Sequence, residues 1–155
     1  METTLLIVKP DGVQRGLVGQ IVGRFERKGL QIVGMKMMTI PQELAATHYK
    51  DHQGKPFYDG LVNFMTSSPV VAFAVRGVGA IAICRKMMGA TFGPDAEPGT
   101  IRGDFGCSRS FNLIHGSDAP ESAERELELF FPEGVTEWTP ASLNWHYDAA
   151  EELGG

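Results

Sequence analysis

The sequence is short of cysteine, of tryptophan and of basic charge. Its 155 residues include only two cysteines, Cys84 and Cys107, and neither sits in a CxxC pair or in a Cys/His set with metal-ligand spacing. That excludes a disulfide-stapled scaffold and fits reduced thiols in a cytoplasmic protein. Lys and Arg number 14 against 19 Asp and Glu, a formal net charge of -5. A dedicated nucleic-acid binder carries a basic face, so nucleic acid is not expected as the main partner. A small basic pocket inside an acidic surface remains open. Long hydrophobic runs are missing too. The N-terminal run Leu5-Leu6-Ile7-Val8 stops at Lys9-Pro10, too short for a leader core, and no stretch approaches a membrane span. A soluble protein with no membrane partner is the expectation.

Several nucleotide-handling signatures are absent as well. There is no GxxxxGK[ST], no GxGxxG followed by a strand lysine, and no HExxH. A P-loop, a protein-kinase cleft and a zinc hydrolase are thereby set aside.

What is present is the composition of one ordinary domain, residues 1–155, with 43% hydrophobic residues. Leu5 to Val8 reads as a buried strand ending in a Lys9–Gly12 turn. Leu17, Ile21, Val22 and Phe25 recur at helical spacing, and Gly29 follows as a C-cap. Gln31–Thr39 is a second strand whose methionines are core filler. Pro41 opens a helix to about His52, and Asp59 to Met65 suggests another turn or two. Val70–Val75 is a third strand. Val78–Met88 is a helix with Ile81, Cys84, Arg85 and Met88 on one face. Residues 89–110 lose all period and read as one long glycine-rich loop, a length that tends to be functional. Phe111–Ile114 is a fourth strand and Asp118–Phe131 a last helix. The tail is loosely patterned, with residues 148–155 expected to be flexible.

This order fits an α/β (α+β) protein. One compact solution is a ferredoxin-like βαββαβ sheet of four antiparallel strands with helices on one face. Periodicity alone does not separate it from a small doubly wound sheet.

The chemistry concentrates around "NLIHGSDAPE", residues 112–121. Asp118 and Glu121 with Pro120 between them read as a capping-box-like start, so His115 lies just before a helix N-terminus that favours an anion. A histidine at a strand end is more often structural than catalytic. Yet Thr91, Arg102 and Arg109 lie on the preceding loop and Arg85 closes the helix before it. Arginine forks bind phosphate oxygens. With the common phosphate motifs absent, a histidine that attacks phosphorus itself is what remains, because imidazole is largely neutral near pH 7. A carboxylate on the other ring nitrogen would fix the tautomer. Spacing on the last helix nominates Glu124 and Glu126 and does not choose between them.

"NLIHGSDA" is similar to the active-site signature of nucleoside diphosphate kinases, Asn-x-x-His-Gly-Ser-Asp-Ala. "VKPDGVQRGLVGQI" (8–21), "HYKDHQGKPFYDGLV" (48–62), "SPVVA" (68–72) and "PGTIRGDF" (98–105) resemble the family's other blocks, in order. The resemblance implies transfer of the terminal phosphate of a nucleoside triphosphate, typically ATP, to a nucleoside diphosphate. The route would be ping-pong, through phosphohistidine on His115. It implies that Glu126 orients the ring and that Lys9 contacts the phosphates and the ribose 3'-hydroxyl. Tyr49 would position the reacting group, and Phe57 would stack on the base. Arg85, Thr91 and Arg102 would hold the phosphates, Asn112 the sugar hydroxyl, and Ser117 would hydrogen-bond Glu126. Mg2+ would ride on the nucleotide phosphates, with no direct protein ligand. A homo-oligomer is implied, a hexamer before a tetramer. This chain departs from the common pattern at Phe92-Gly93-Pro94, Arg109, Phe111 and Arg76–Gly79, positions that bear on base stacking and assembly.

Overall fold

The computed structural model describes residues 1–154. Strands β1 (Glu2–Val8), β2 (Gln31–Met38), β3 (Val70–Gly77) and β4 (Ile114–Gly116) form one sheet in the order β2-β3-β1-β4, antiparallel throughout. Helix α2 (Val18–Lys28) connects β1 to β2 and α5 (Ala80–Met88) connects β3 to β4. This is the expected βαββαβ arrangement, and the antiparallel pairing excludes the doubly wound alternative.

The expectation of helices on one face is corrected. Thr4 to Val8 of β1 and Val70 to Val75 of β3 are buried without a break, so neither side of the sheet centre meets water. Leu6, Val8, Val71, Phe73 and Val75 pack with Ile21 and Phe25 of α2 and Cys84 and Met88 of α5. Leu5, Ile7, Val70, Ala72 and Ala74 pack on the other side. There α3 (Gln42–His48), α4 (Tyr58–Thr66) and α7 (Pro120–Phe130) supply Ala45, Val62, Met65 and Phe130. A strand buried on both faces reads as a continuous apolar run, so the cover on the second side is obligatory. Each buried Phe or Leu of these layers contributes about 1.5–3 kcal/mol.

Several boundaries move for local reasons. Pro10 does not end in a turn but opens a short helix, α1 (Pro10–Gln14), because proline is preset for the first helical position. The loop 89–110 is not structureless: Gly93–Asp95 makes a 3-10 turn, and α6 (Ile101–Phe105) is capped by Thr100, whose Oγ1 accepts the Gly103 N–H at 3.0 Å. A five-residue helix is too short to show a period. The fourth strand starts at Ile114, not Phe111, because Leu113 has φ +72 and breaks the extended chain. Helix α7 is capped from within. Ser122 Oγ accepts the Ala119 N–H at 3.0 Å and donates to Asp118 Oδ1 at 2.5 Å, and Glu121 stays exposed. Arg85, one helical turn after Ile81, lies at the edge of the Ile81–Cys84–Met88 face and is exposed.

The tail packs Trp138 and Tyr147 back on the body: Trp138 donates its indole N–H to Ile32 O at 2.9 Å, while Trp145 is 90% exposed. Short helices α8 (Leu143–His146) and α9 (Ala149–Glu152) follow, α9 capped by Asp148; Gly155 lies outside the described residues. Among the described residues no helix is long and apolar enough to cross a membrane.

Candidate active site

His115 pairs with Ile7 in the β1–β4 ladder, and Ile7 points to the face covered by α3, α4 and α7. Side chains alternate along a strand, so His115 points to that face while Ile114 and Gly116 point to the other. Gly116 leaves room for the α5 layer: an added Cβ would stand 2.6 Å from Met88 Sδ, so that buried side chain would have to shift. On the His115 side stands Glu126 of α7, 3% exposed, whose Oε1 meets the ring at Nε2. The carboxylate is acceptor only, so Nε2 carries the ring proton and Nδ1 keeps its lone pair. That geometry takes Glu126 from the pair that spacing nominated; Glu124 is exposed.

The backbone that carries His115 is tied down group by group. The Ile114 N–H bonds to Asn112 O at 2.8 Å, closing a three-residue turn over Leu113 at positive φ. Asp11 Oδ2 accepts the Leu113 N–H at 3.1 Å, and Leu113 O accepts the Lys9 N–H at 2.8 Å. Arg102 donates to Asn112 O at 3.1 Å, Gly89 O at 3.1 Å and Ile114 O at 2.6 Å. Strain in such a turn persists only where neighbours over-determine it, and here β1, α1 and α6 all do.

Lys9 Nζ donates to Asn112 Oδ1 at 2.7 Å, and Asn112 Nδ2 donates to Thr91 O at 3.0 Å. Burial, with Arg102 adding like-charge repulsion, lowers the Lys9 pKa to about 8. Burial and the neighbouring Arg85 lower that of Arg102 to about 10, which leaves it charged at neutral pH. Tyr49 is 7% exposed, its hydroxyl has no hydrogen-bond partner, and burial with the Glu126 charge raises its pKa. Arg85 donates to Gly116 O at 3.2 Å.

Two hollows hold these side chains. A cleft of about 680 Å³ runs from Lys9 and Asn112 past Thr91 to Phe57, Phe92 and Phe111. Phe57 is 53% exposed in its mouth, Phe64 and Phe111 stack at 4.8 Å, and Arg109 lies over the Phe92 ring at 4.2 Å. No carboxylate lines this cleft among the described residues. The second hollow, about 270 Å³, is lined by His115, Glu126, Tyr49, Arg85 and His48.

Sequence-expected residues thus divide. Lys9, Thr91, Asn112 and Phe57 line the first hollow; His115, Glu126, Tyr49 and Arg85 line the second. Arg102 is 4% exposed and spends three of its five N–H groups on carbonyls. The expected bond from Ser117 to Glu126 is not made: Ser117 Oγ is buried without a partner, and its backbone is held by Leu5 O at 3.1 Å. Sequence reasoning missed Asp11 and His48. Asp11 follows Pro10 and could have been noticed as an acid in a helix's first turn. His48 carries no local signal.

Comparison with known proteins bears on this arrangement. The sequence model described as nucleoside diphosphate kinase matches residues 2–135. A nucleoside diphosphate kinase of Synechococcus sp. (strain JA-3-3Ab) is 54% identical over 149 residues, covering 96% of this chain and all of that one. The structure of a halophilic nucleoside diphosphate kinase from Halobacterium salinarum in complex with CDP matches with TM-score 0.92 at 52% identity, over 94% of this chain and 98% of that one. A transition-state mimic of the Borrelia burgdorferi nucleoside-diphosphate kinase, with bound vanadate and ADP, matches with TM-score 0.89 at 39% identity, over 94% and 96%.

Proposed function

The chain belongs to the nucleoside diphosphate kinase family, and from that premise we propose that it moves the terminal phosphate of a nucleoside triphosphate to a nucleoside diphosphate through His115. One observation carries the reading: Glu126 occupies Nε2 of His115, leaving Nδ1 unprotonated, and Arg85 and Arg125 line the same hollow as the ring.

The Nδ1 lone pair attacks the terminal phosphorus, and the bond from that phosphorus to the bridging oxygen breaks, releasing a diphosphate. The ring now carries positive charge, and the buried Glu126 carboxylate, bonded to its N–H, offsets it. A second diphosphate enters the same cleft and takes the phosphoryl group back by the reverse displacement. Such transfers need positioning and charge neutralisation more than covalent assistance. Lys9, Arg85 and the two remaining N–H groups of Arg102 supply cations, with the Thr91 hydroxyl and Asn112 amide beside them. Tyr49 offers an unpartnered hydroxyl next to the imidazole. Mg2+ belongs to the substrate in this reading, neutralising the phosphates it rides on.

Phe57, with the Phe64–Phe111 stack across the cleft, offers π-faces and no base-edge donors. Stacking tolerates any base, so broad base specificity follows. The working form is a homo-oligomer, hexameric before tetrameric. Its supports are the open edge of β2, with Met35 49% and Met37 64% exposed, and Trp145 on the tail. A cytoplasmic setting suits the two free thiols, Cys84 and Cys107.

Incubation with γ-labelled ATP and Mg2+ should yield an acid-labile, base-stable phosphoenzyme that UDP and GDP both discharge. His115→Ala should not label while keeping its fold. Full transfer by that variant would overturn the proposal. Continuous ATP hydrolysis without acceptor would instead favour a histidine phosphatase.

A further inference from the structure

His48 is 7% exposed, and neither of its ring nitrogens has a hydrogen-bond partner. A neutral imidazole has one donor and one acceptor, and leaving both unmet in a buried site is destabilising. The ring is wedged edge-on among Tyr49 at 4.4 Å, His115 at 4.9 Å and Phe130 at 5.3 Å, where an apolar side chain would pack without that cost. It also faces the second hollow. One ligand atom each from His48, His115 and Glu126 lie within 4.8 Å of one another, a trio no sequence spacing announces.

We propose that His48, His115 and Glu126 form an inhibitory site for a borderline divalent transition ion such as Zn2+. Two imidazoles and a carboxylate suit Zn2+, which binds such donors at about 2.0–2.2 Å with water in the fourth tetrahedral position. They do not suit Mg2+, which takes oxygen ligands in an octahedron. A tetrahedron with those bond lengths sets donors about 3.3 Å apart, so the site is completed by side-chain rotation that brings the more distant donors in by up to about 1.5 Å and opens the hydrogen-bonded His115–Glu126 pair to admit the ion. The ion coordinates Nε2 of His115 and takes the place of the proton between that nitrogen and Glu126. The ring remains neutral and keeps its single proton, which moves to Nδ1. No bond to phosphorus forms, no oxidation state changes, and the ion sheds water. The lone pair that attacks phosphate is then gone. Inhibition rests on His115 being the nucleophile; binding of the ion does not.

The test uses nucleotide-free protein. Titration with ZnCl2 should show one equivalent bound, with affinity falling at least ~10-fold in His48→Gln and in His115→Gln, the scale seen for altered metal-site partners. CoCl2 should give the intense visible absorption of a four-coordinate ion and shift the ring resonances of His48 and His115. Cys107→Ser, which removes the exposed thiol elsewhere, should leave binding unchanged. ZnCl2 should block phosphoenzyme formation from Mg-ATP, and EDTA should restore it. Equal Zn2+ affinity in wild type and a folded His48→Gln overturns the proposal, as does a six-coordinate Co2+ spectrum or loss of the ion with Cys107. If His48→Gln fails to fold, the wild-type Co2+ spectrum and resonance shifts decide. Ion binding without any phosphoenzyme would sink the functional reading and leave the site standing; phosphoenzyme without ion binding would do the reverse.

Discussion

The Asp11 carboxylate accepts the backbone N–H of Leu113 at 3.1 Å, joining positions 102 residues apart and holding the one non-glycine residue with positive φ among those described. Two residues beyond Leu113 is the candidate nucleophile. The start of α1 and the strained turn are therefore one device that aims His115.

Asp11→Ala should test it. The Leu113 N–H would be left buried without a partner, at a cost of about 1–3 kcal/mol. We expect a lower Tm, read by calorimetry, and a kcat loss larger than any rise in KM, because the turn positions the ring without touching substrate. Asp11→Asn retains an acceptor and should recover most of both. Equal losses in the two variants would mean that charge, not the hydrogen bond, matters.

How much of this was legible depends on range. Leu17, Ile21, Val22 and Phe25 announce α2 because a helix face repeats within a few residues, and all four are buried. His115 stands out through its neighbours in "NLIHGSDA", yet Glu126 could not be chosen from Glu124 by spacing, since only the packing of α7 against β1 turns it inward. The loop 89–110 hid α6, whose single turn is too short for periodicity. His48 was invisible for a different reason, since its neighbour His115 is far along the chain, and Asp11, legible as a first-turn acid, gave no hint of its bond to Leu113 for the same reason. The positive φ of Leu113 has no residue signature, because leucine is not chosen for it; tertiary bonds impose it.

Arg102 is a structural clamp on three backbone carbonyls, apart from the phosphate contact proposed for it. Arg102→Ala would remove the donors on the carbonyls of Asn112, Gly89 and Ile114 together, and a loss of about 3 kcal/mol or more is expected. Arg102→Lys separates the roles. An ammonium on an unbranched stem keeps the charge but cannot span three carbonyls, so chemical denaturation should show most of the loss persisting. Near-native stability in the lysine variant would show that the charge alone suffices.

Lys9 should impose a basic limb on nucleotide capture. Its pKa, lowered to about 8 chiefly by burial and then by Arg102, means that free enzyme loses this cation as pH rises through 8. The value of kcat/KM should fall there, and Lys9→Arg, charged throughout, should abolish that limb whatever its absolute rate. The folding linkage has the opposite sign. Between about 8 and 10.5 the unfolded chain holds a proton that the folded chain has released, so nucleotide-free protein should gain stability as pH rises across that window. A limb that survives in Lys9→Arg would assign it to another group.

Glu126→Gln isolates the charge beside the candidate nucleophile. The amide oxygen can still accept from Nε2 and the side chain keeps its size, so the ring stays oriented. What disappears is the buried negative charge that offsets the ring when Nδ1 bonds to phosphorus. Losing one preorganised electrostatic contact of this kind costs on the order of 10²-fold in rate. Single-turnover phosphoenzyme formation should slow by that order with KM nearly unchanged, since the carboxylate meets the ring and not the nucleotide. A rise in KM with unchanged kcat would instead place Glu126 among the groups that bind substrate, and the reading of the His115 pair would have to be abandoned.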